Sequence, residues 1–352
     1  MHEYSGNIHI HTLYSDGAKW HAEVAEDAIE AGLDFIIVTD HNVWVSDIEG
    51  YYRNDSGKVL LLTGEEIHNV RRRPQASHFL AYGAERELAP YASNPQELID
   101  QTKAAGGHGF LAHPFDPEAT NLNADSLAWM DWDVQGFTGL EIWNYMSGFK
   151  GHLTSWPRTI RAVFNPERYV AGPQEATLAK WDQLLSEGKR VAAIGSSDAH
   201  GLTYHLGPLS RVVFPYSFLF RAVNTHILLR EELNGDVSRD KGLLLSALGG
   251  GNCWVGYDLP YSTSGFRFSA QSRSRGIMGD EIKLDAGATL QVQAPAKCRI
   301  RLLHHGVPVA EVENETQLTH TPIESGAYRV ECHIDYQGRE RGWIFSNPVY
   351  LR

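Results

Sequence analysis

The amino-acid sequence predicts an α/β fold: a parallel sheet or barrel over residues 1–258, then a small antiparallel β-sandwich over 259–352. Three observations predict it. From residue 7 to about 215, short and nearly continuous apolar runs alternate with stretches of helical periodicity, as expected of strands covered on both faces. After residue 250 the chain changes to short alternating segments punctuated by Gly, Pro, Asn and Asp. Metal-binding residue types recur at the ends of one predicted strand after another, the place where parallel barrels gather their site groups.

The elements follow in order. "NIHIH" reads as a strand and leads to the helical pattern "WHAEVAEDAIEAGL", which ends in an Ala-Gly stop. "FIIVTDH" (35–41), "VLLLTGEEI" (59–67) and "SHFLAYG" (77–83) read as strands. "NPQELIDQTKAAGG" is a helix with Asn94 as N-cap and Pro95 in its first turn. Then come the strands "GFLAHP" (109–114) and "GLEIWN" (139–144), the helix "GPQEATLAKWDQLLSEGK", and "RVAAIGSSDAHG" (190–201). Residues 115–180, irregular and rich in Trp, Asp and Asn, read as long loops over the barrel mouth. Residues 216–258, with "SRDKGLLLSALGGG" as a helix, join this part to the β-rich tail.

Composition narrows the function classes. The chain has 352 residues, 42% of them hydrophobic, and no apolar run of the roughly 18–20 residues a membrane span needs, so no membrane partner is expected. A formal charge of −12 argues against broad, non-specific nucleic-acid binding and leaves a nucleic-acid substrate at a local site open. Cys253, Cys298 and Cys332 show no metal spacing and are expected as free thiols, with a Cys298–Cys332 pair as the alternative if their strands are neighbours. No basic stretch followed by an apolar one opens the sequence, so the cytoplasm is the expected location. The 17 histidines are the informative count.

Side chains two apart on a strand share a face, so His9 and His11 point the same way. The first strand also leads to Asp16, the second ends in Asp40-His41, and the third in Glu66. The fourth begins with His78, the fifth ends in His113, and a later one ends in Asp198-Ala199-His200. Imidazoles and carboxylates without thiolates suit Zn, Mn or Fe and exclude a cysteine-type structural zinc site. There are too many of them for one tetrahedral ion; they suit two or three ions about 3.5–4 Å apart.

In order, "HIHTLYSDG", "TDHN", "GEEI", "SHFLAYG", "AHP" and "SSDAHG" resemble the motifs of the PHP (polymerase and histidinol phosphatase) metallohydrolase family, over about residues 7–215. The resemblance implies a distorted (β/α)7 TIM-like barrel holding two or three divalent metal ions. With the sandwich-like tail, the layout is similar to the carbaryl-hydrolase-type branch, called CehA/McbA-like. Carried over by position, the resemblance implies His9, His11 and Asp198 on a first metal, Glu66 bridging to a second with His78 and His113, and Asp16, His41 and His200 on a third. Glu66 rather than Glu65 follows from the family's Gly-x-Glu motif, in which Gly64 fixes the count. Asp40 is expected to orient His41, and Glu141 to hold a supporting hydrogen bond with Asn144. His68 and His108 lie off the motif and are read as structural or supporting groups. His304-His305 reads as a solvated hairpin end.

The expected chemistry is hydrolysis of a small phosphate ester by a metal-bridging hydroxide, with Asp198 and His200 as catalytic residues and either His200 or a water on the third metal protonating the leaving oxygen. Arg71, Arg72 and Arg73, between Glu66 and His78, are either a solvated charge run or a phosphate-binding loop. The alternative on the same metals is carbamate, ester or amide cleavage, with Trp129, Trp132, Trp143, Tyr145 and Trp156 forming an aryl pocket. A third reading makes the barrel inert and the tail a binding module; the full ligand set argues against it. The tail itself can pack on the barrel, bind a partner or join two copies into a homo-oligomer.

Overall fold

The computed structural model describes residues 1–206 and 209–352. Its first half is a succession of strands linked by helices: β1 (His2–Asn7), α1 (His21–Ala31), β2 (Phe35–Val38), the hairpin β3 (Gly50–Asn54) and β4 (Gly57–Ile67), and β5 (Phe79–Tyr82). Next come α2 (Pro95–Ala104), β6 (His108–Leu111), β7 (Gly139–Asn144), α3 (Tyr145–Lys150), α4 (Trp156–Phe164), α5 (Glu175–Ser186) and β8 (Ala192–Ser196).

The predicted helices end where their sequence signals stand. The Trp20 N–H donates to the Glu23 carboxylate at the start of α1, and Gly32 closes that helix at φ 82°, a conformation that suits glycine. The Asn94 side chain accepts from the Glu97 N–H to cap α2.

Strand pairing runs β1–β2–β4 in parallel, β4–β5–β6 antiparallel, and β6–β7–β8 in parallel. A parallel bridge between Ile10 and Ala199 then ties the chain after β1 to the chain after β8, with His11 N–H to Ala199 O at 2.9 Å and Ala199 N–H to His9 O at 3.1 Å. The sheet is therefore mixed where a parallel one is expected. The cause is local: no helix separates β4 from β5, and without a crossover the chain can only return in the opposite direction. This reversal is why His78 serves the site from the start of its strand while the other ligands stand at strand ends.

"NIHIH" is not one regular strand either. β1 stops at Asn7, and the Ser196 hydroxyl accepts from both Ile8 N–H and His9 N–H, at 3.0 and 2.8 Å. Ile8 packs with Phe35, Ile37, Leu60 and Leu62, whereas Ile10 joins a second cluster with Val24, Ile36 and Val38.

Two further differences concern the segment read as loops and the segment read as a connection. Residues 115–180 contain α3 and α4, whose apolar and polar residues alternate too briefly to stand out in a Trp- and Asn-rich stretch. The connection at 216–258 holds α6 (Tyr216–Leu219) and two strands besides the expected helix: β11 (Val223–Leu229), α7 (Val237–Gly250) and β12 (Cys253–Tyr257), after a small hairpin of β9 (Thr203–Leu206) and β10 (Leu209–Val212). β11 pairs antiparallel with β1 and β12.

The tail is all strand: β13 (Arg267–Gln271), β14 (Arg275–Ile277), β15 (Glu281–Ile282), β16 (Thr289–His304), β17 (Val307–His320), β18 (Gly326–Tyr336), β19 (Arg339–Ser346) and β20 (Val349–Leu351). Its pairings are antiparallel except β15–β20, and it encloses its own core with Phe268, Val292, Ile300, Val330 and Trp343. β19 pairs with β12, so hydrogen bonding crosses residue 258. The three cysteines are buried and free. His304 is buried and stacks on Tyr328, with ring centroids 4.3 Å apart, so of the His304-His305 pair only His305 is solvated.

Candidate metal centre

The ends of β1, β2, β4, β6 and β8 and the start of β5 bring the predicted ligands together. His9 Nε2 lies 3.1 Å from Glu66 Oε2 and 3.3 Å from Asp198 Oδ1. His11 Nε2 lies 3.2 and 3.1 Å from the same two oxygens. On the other side of the same carboxylate, Glu66 Oε1 lies 2.8 Å from His78 Nδ1 and 3.1 Å from His113 Nε2. Glu66 thus offers one oxygen to each of two neighbouring groups. Glu65, one residue earlier, accepts from the N–H groups of Leu88 and Ala89 instead.

A third group is more open. Asp16, whose side chain is 54% exposed, lies 3.3 Å from His200 Nε2, 3.6 Å from His11 Nδ1 and 3.7 Å from His41 Nε2. Gly17 lets this loop fold back: a Cβ there would stand 2.2 Å from His11 O.

Proton placement shows what these groups lack. His9 Nδ1 bonds Glu141, His78 Nε2 bonds the Gln75 carbonyl and His200 Nδ1 bonds the Asp198 carbonyl, at 3.0, 2.8 and 2.8 Å. Those acceptors fix a proton on the outer nitrogen of each ring. In a neutral ring the inner nitrogen then turns a lone pair toward carboxylates. His9 Nε2, His11 Nε2, His41 Nδ1, Glu66 Oε2 and Asp198 Oδ1 are buried and have no hydrogen-bond partner. Buried polar atoms without partners are costly, and five in one place call for a cation among them.

The electrostatics agree. Burial alone would push His9, His11 and His113 down; the surrounding carboxylates outweigh it, raising His9 well above its ordinary value, His11 to about 10 and His113 to about 9. Burial would push Glu66 and Asp198 up, yet the histidines hold both well below the carboxylate range. His41 goes the other way, to about 3, because burial dominates. The pocket demands positive charge, which divalent ions supply more compactly than protonated rings.

Backbone strain marks the same place. His113 (φ 26°), Asp198 (φ 56°), Asn42 (φ 52°) and Ser77 (φ 64°) all adopt left-handed conformations, and each is a predicted ligand or its neighbour.

The supporting residues sort less evenly. Glu141 holds His9 through one oxygen and the His113 N–H and Asn144 Nδ2 through the other, at 2.9 and 3.0 Å. Asn144 also reaches Asp198 Oδ2 at 3.3 Å and caps α3 through the Ser147 N–H. Asp40 serves a different partner from the one expected. It accepts from Thr12 N–H, Thr12 Oγ1 and Ser15 Oγ, pinning the loop that carries Asp16 rather than the His41 ring.

The phosphate-loop reading of 71–73 meets a competing pairing. Arg72 is ion-paired with Asp131 at 2.5 Å, and Arg73 donates to the carbonyls of Val70 and Arg72 in its own loop; Arg71 is exposed. The aryl-pocket residues scatter: Trp129, Trp143 and Tyr145 are buried in the main core, Trp132 packs against it, and Trp156 is exposed. His108 stands at the upstream end of β6 against Gly249.

His68 is the residue sequence reasoning undervalued. Its ring stacks on His78 with centroids 4.4 Å apart, and it forms a further possible ligand group with His41 and His78. Asn42, the last letter of "TDHN", bonds it through both side-chain and backbone contacts, a signal the motif contains but does not explain.

No family model matches the chain. An uncharacterized protein of Methanocaldococcus jannaschii is 26% identical over 149 residues, which is 39% of this chain and 80% of that protein. Among solved structures, the chain is similar to a two-domain protein from Bacteroides vulgatus described as containing a predicted PHP-like metal-dependent phosphoesterase: 15% identity, 99% of this chain, 95% of that one, TM-score 0.38. It is also similar to a lesion-specific endonuclease from Pyrococcus furiosus, at 14% identity over 78% of this chain and 64% of that one, TM-score 0.40.

Proposed function

We propose that this protein is a metal-dependent hydrolase of phosphate esters, built on a distorted PHP-type barrel closed by the Ile10–Ala199 bridge. The carrying observation is the convergence of His9 Nε2, His11 Nε2, Glu66 Oε2 and Asp198 Oδ1, all buried and all without a partner. In this reading those four atoms would hold one ion, and Glu66 Oε1, His78 and His113 would hold a second. Asp16, His41 and His200 form the most exposed position, suited to a third.

Divalent ions bound there lower the pKa of water from about 15.7 toward 7 and polarise phosphoryl oxygens. The residues of the chain do the rest. Glu141 fixes the His9 tautomer and, through Asn144, steadies Asp198. Asp198 and His200 are the residues we assign to catalysis: Asp198 closes the first group, and the Asp198 carbonyl fixes the His200 ring so that Nε2 faces the open side. With no ion at the third position and its ring doubly protonated, His200 could pass its Nε2 proton to the departing oxygen and return to the neutral Nδ1–H form. The carbaryl-hydrolase-type alternative rests on layout alone, because the aromatics meant to form its pocket pack mainly in the core.

Metal analysis of the purified protein, with p-nitrophenyl phosphate, a phosphodiester and an aryl carbamate compared side by side, tests the proposal. Two or three equivalents of Zn, Mn or Fe and turnover of a phosphate ester are expected. A metal-free protein, or one that cleaves only the carbamate, overturns it.

A further inference from the structure

α4 stands out for what it leaves exposed. Trp156 is 57% exposed, Ile160 49% and Phe164 64%, and their spacing of four puts them on one ridge of the helix. Thr159 and Ala162 are the buried residues of α4. Asn121 Nδ2 donates to Thr159 Oγ1 at 2.8 Å, which ties the segment carrying the exposed Leu122 to the same helix.

Beside α4 lies a groove of about 450 Å³ lined by Arg161, Asn165, Arg168, Tyr169 and Arg339. Arg72, Arg299 and Arg329 elsewhere all face carboxylates. Among the described residues, none stands within 4.0 Å of the guanidinium groups of Arg161, Arg168 or Arg339. The acids nearest in sequence are turned elsewhere, Glu167 to the Tyr336 hydroxyl at 2.7 Å and to Gln337, and Glu340 to Arg299. The local field is positive: burial lowers the pKa of nearby His152, and Arg158 and Arg339 lower it further. In a chain of net charge −12 this is a marked local reversal.

We propose that α4 and the arginine groove dock the protein onto an anionic lipid surface, the apolar ridge entering the headgroup–acyl boundary while Arg161, Arg168 and Arg339 meet lipid phosphates. A surface contact of this kind needs an apolar face and adjacent basic groups, not a spanning segment. A nucleic-acid strand would also meet the arginines. It gains by stacking on aromatic rings, however, and the aliphatic Ile160 and Leu122 offer it nothing comparable, whereas acyl chains reward all four apolar residues.

Co-sedimentation of the full chain with phosphatidylglycerol/phosphatidylcholine vesicles, and with phosphatidylcholine alone, tests this. Binding to the anionic vesicles only, weakened by salt, is expected. Ile160→Glu should abolish it, and each of Arg161→Ala and Arg168→Ala should lower the partition coefficient about five-fold. Unchanged thermal melting by circular dichroism shows that the variants fold; a variant that melts early is replaced by Trp156→Ala, which removes apolar area from the same ridge. No binding to anionic vesicles, or binding indifferent to the ridge variants, overturns the proposal. So does an oligonucleotide that binds through the arginines while vesicles do not.

Discussion

Two clusters of buried histidine and carboxylate, one before and one beyond the end of β1, differ in how fully their atoms are satisfied. At the first, Glu3, His226 and Asp258 satisfy one another: His226 bonds Asp258 at 2.9 Å and Glu3 at 3.4 Å. Glu3 also takes the Gly265 N–H and Arg267, and Asp258 takes Asn224 and the Thr263 N–H. None of these side-chain atoms lacks a partner, whereas the strand-end cluster leaves six without one, the five named above and His113 Nδ1. Residue type therefore does not distinguish a ligand site from a structural network; unmet bonding capacity does.

The sharpest way to break the comparison is Glu66→Ala. Because both Glu66 oxygens face ligand groups, this change should strip the bound metal and abolish turnover in metal-free buffer, measured by elemental analysis and phosphatase assay. Full activity would sink the assignment.

Asp258→Ala strikes the satisfied cluster instead. It leaves His226 facing one carboxylate, and a loss of about 3 kcal/mol in urea unfolding is expected, with turnover of the metal-saturated enzyme unchanged. Glu141→Gln lies between the two, since Glu141 supports His9, His113 and Asn144 without joining a ligand group. Metal affinity should weaken about 10–100-fold by titration, with the fold intact.

The satisfied cluster also carries a pH signature. Burial would lower His226, but Asp258 and Glu3 outweigh it and raise it to about 9. Burial would raise Glu3 and Asp258, but their bonds, chiefly to His226, hold both at about 2. The histidine's contribution is complete below its unfolded pKa of about 6.5 and fades as pH rises through the folded value. The carboxylates' contribution is complete above about 4.5 and fades as pH falls toward their folded values. The stability difference between wild type and His226→Gln should therefore be largest between about pH 4.5 and 6.5, shrink as pH rises from there, and be gone above about pH 9.

The smallest effect is expected of Arg72→Ala. Losing the Asp131 pair should cost about 1 kcal/mol or less and leave KM for a phosphate ester unchanged; a large rise in KM would restore the phosphate-loop reading.

Much of this was legible in the sequence. Strand–helix alternation located α1, α2, α5 and α7, and the order of His, Asp and Glu at strand ends named the groups that converge. Glu141 and Asn144 were readable from "GLEIWN". Other features were not. The antiparallel β5 depends on a missing crossover, and β11 and β12 on pairing with distant strands. His68 lies outside the motif and is drawn in by its stacking on His78 and its bonds to Asn42.

The sequence by itself determined which chemical types stand where along the chain, because periodicity and strand-end position are local properties. Only the tertiary structure decided which atom of each side chain is left free. It sent Asp40 to Thr12 rather than to His41, spent Arg72 on Asp131, and put Trp143 and Tyr145 in the core. Those outcomes depend on partners far away in the chain, and hydrogen-bonding capacity, unlike periodicity, is settled only when all of them are in place.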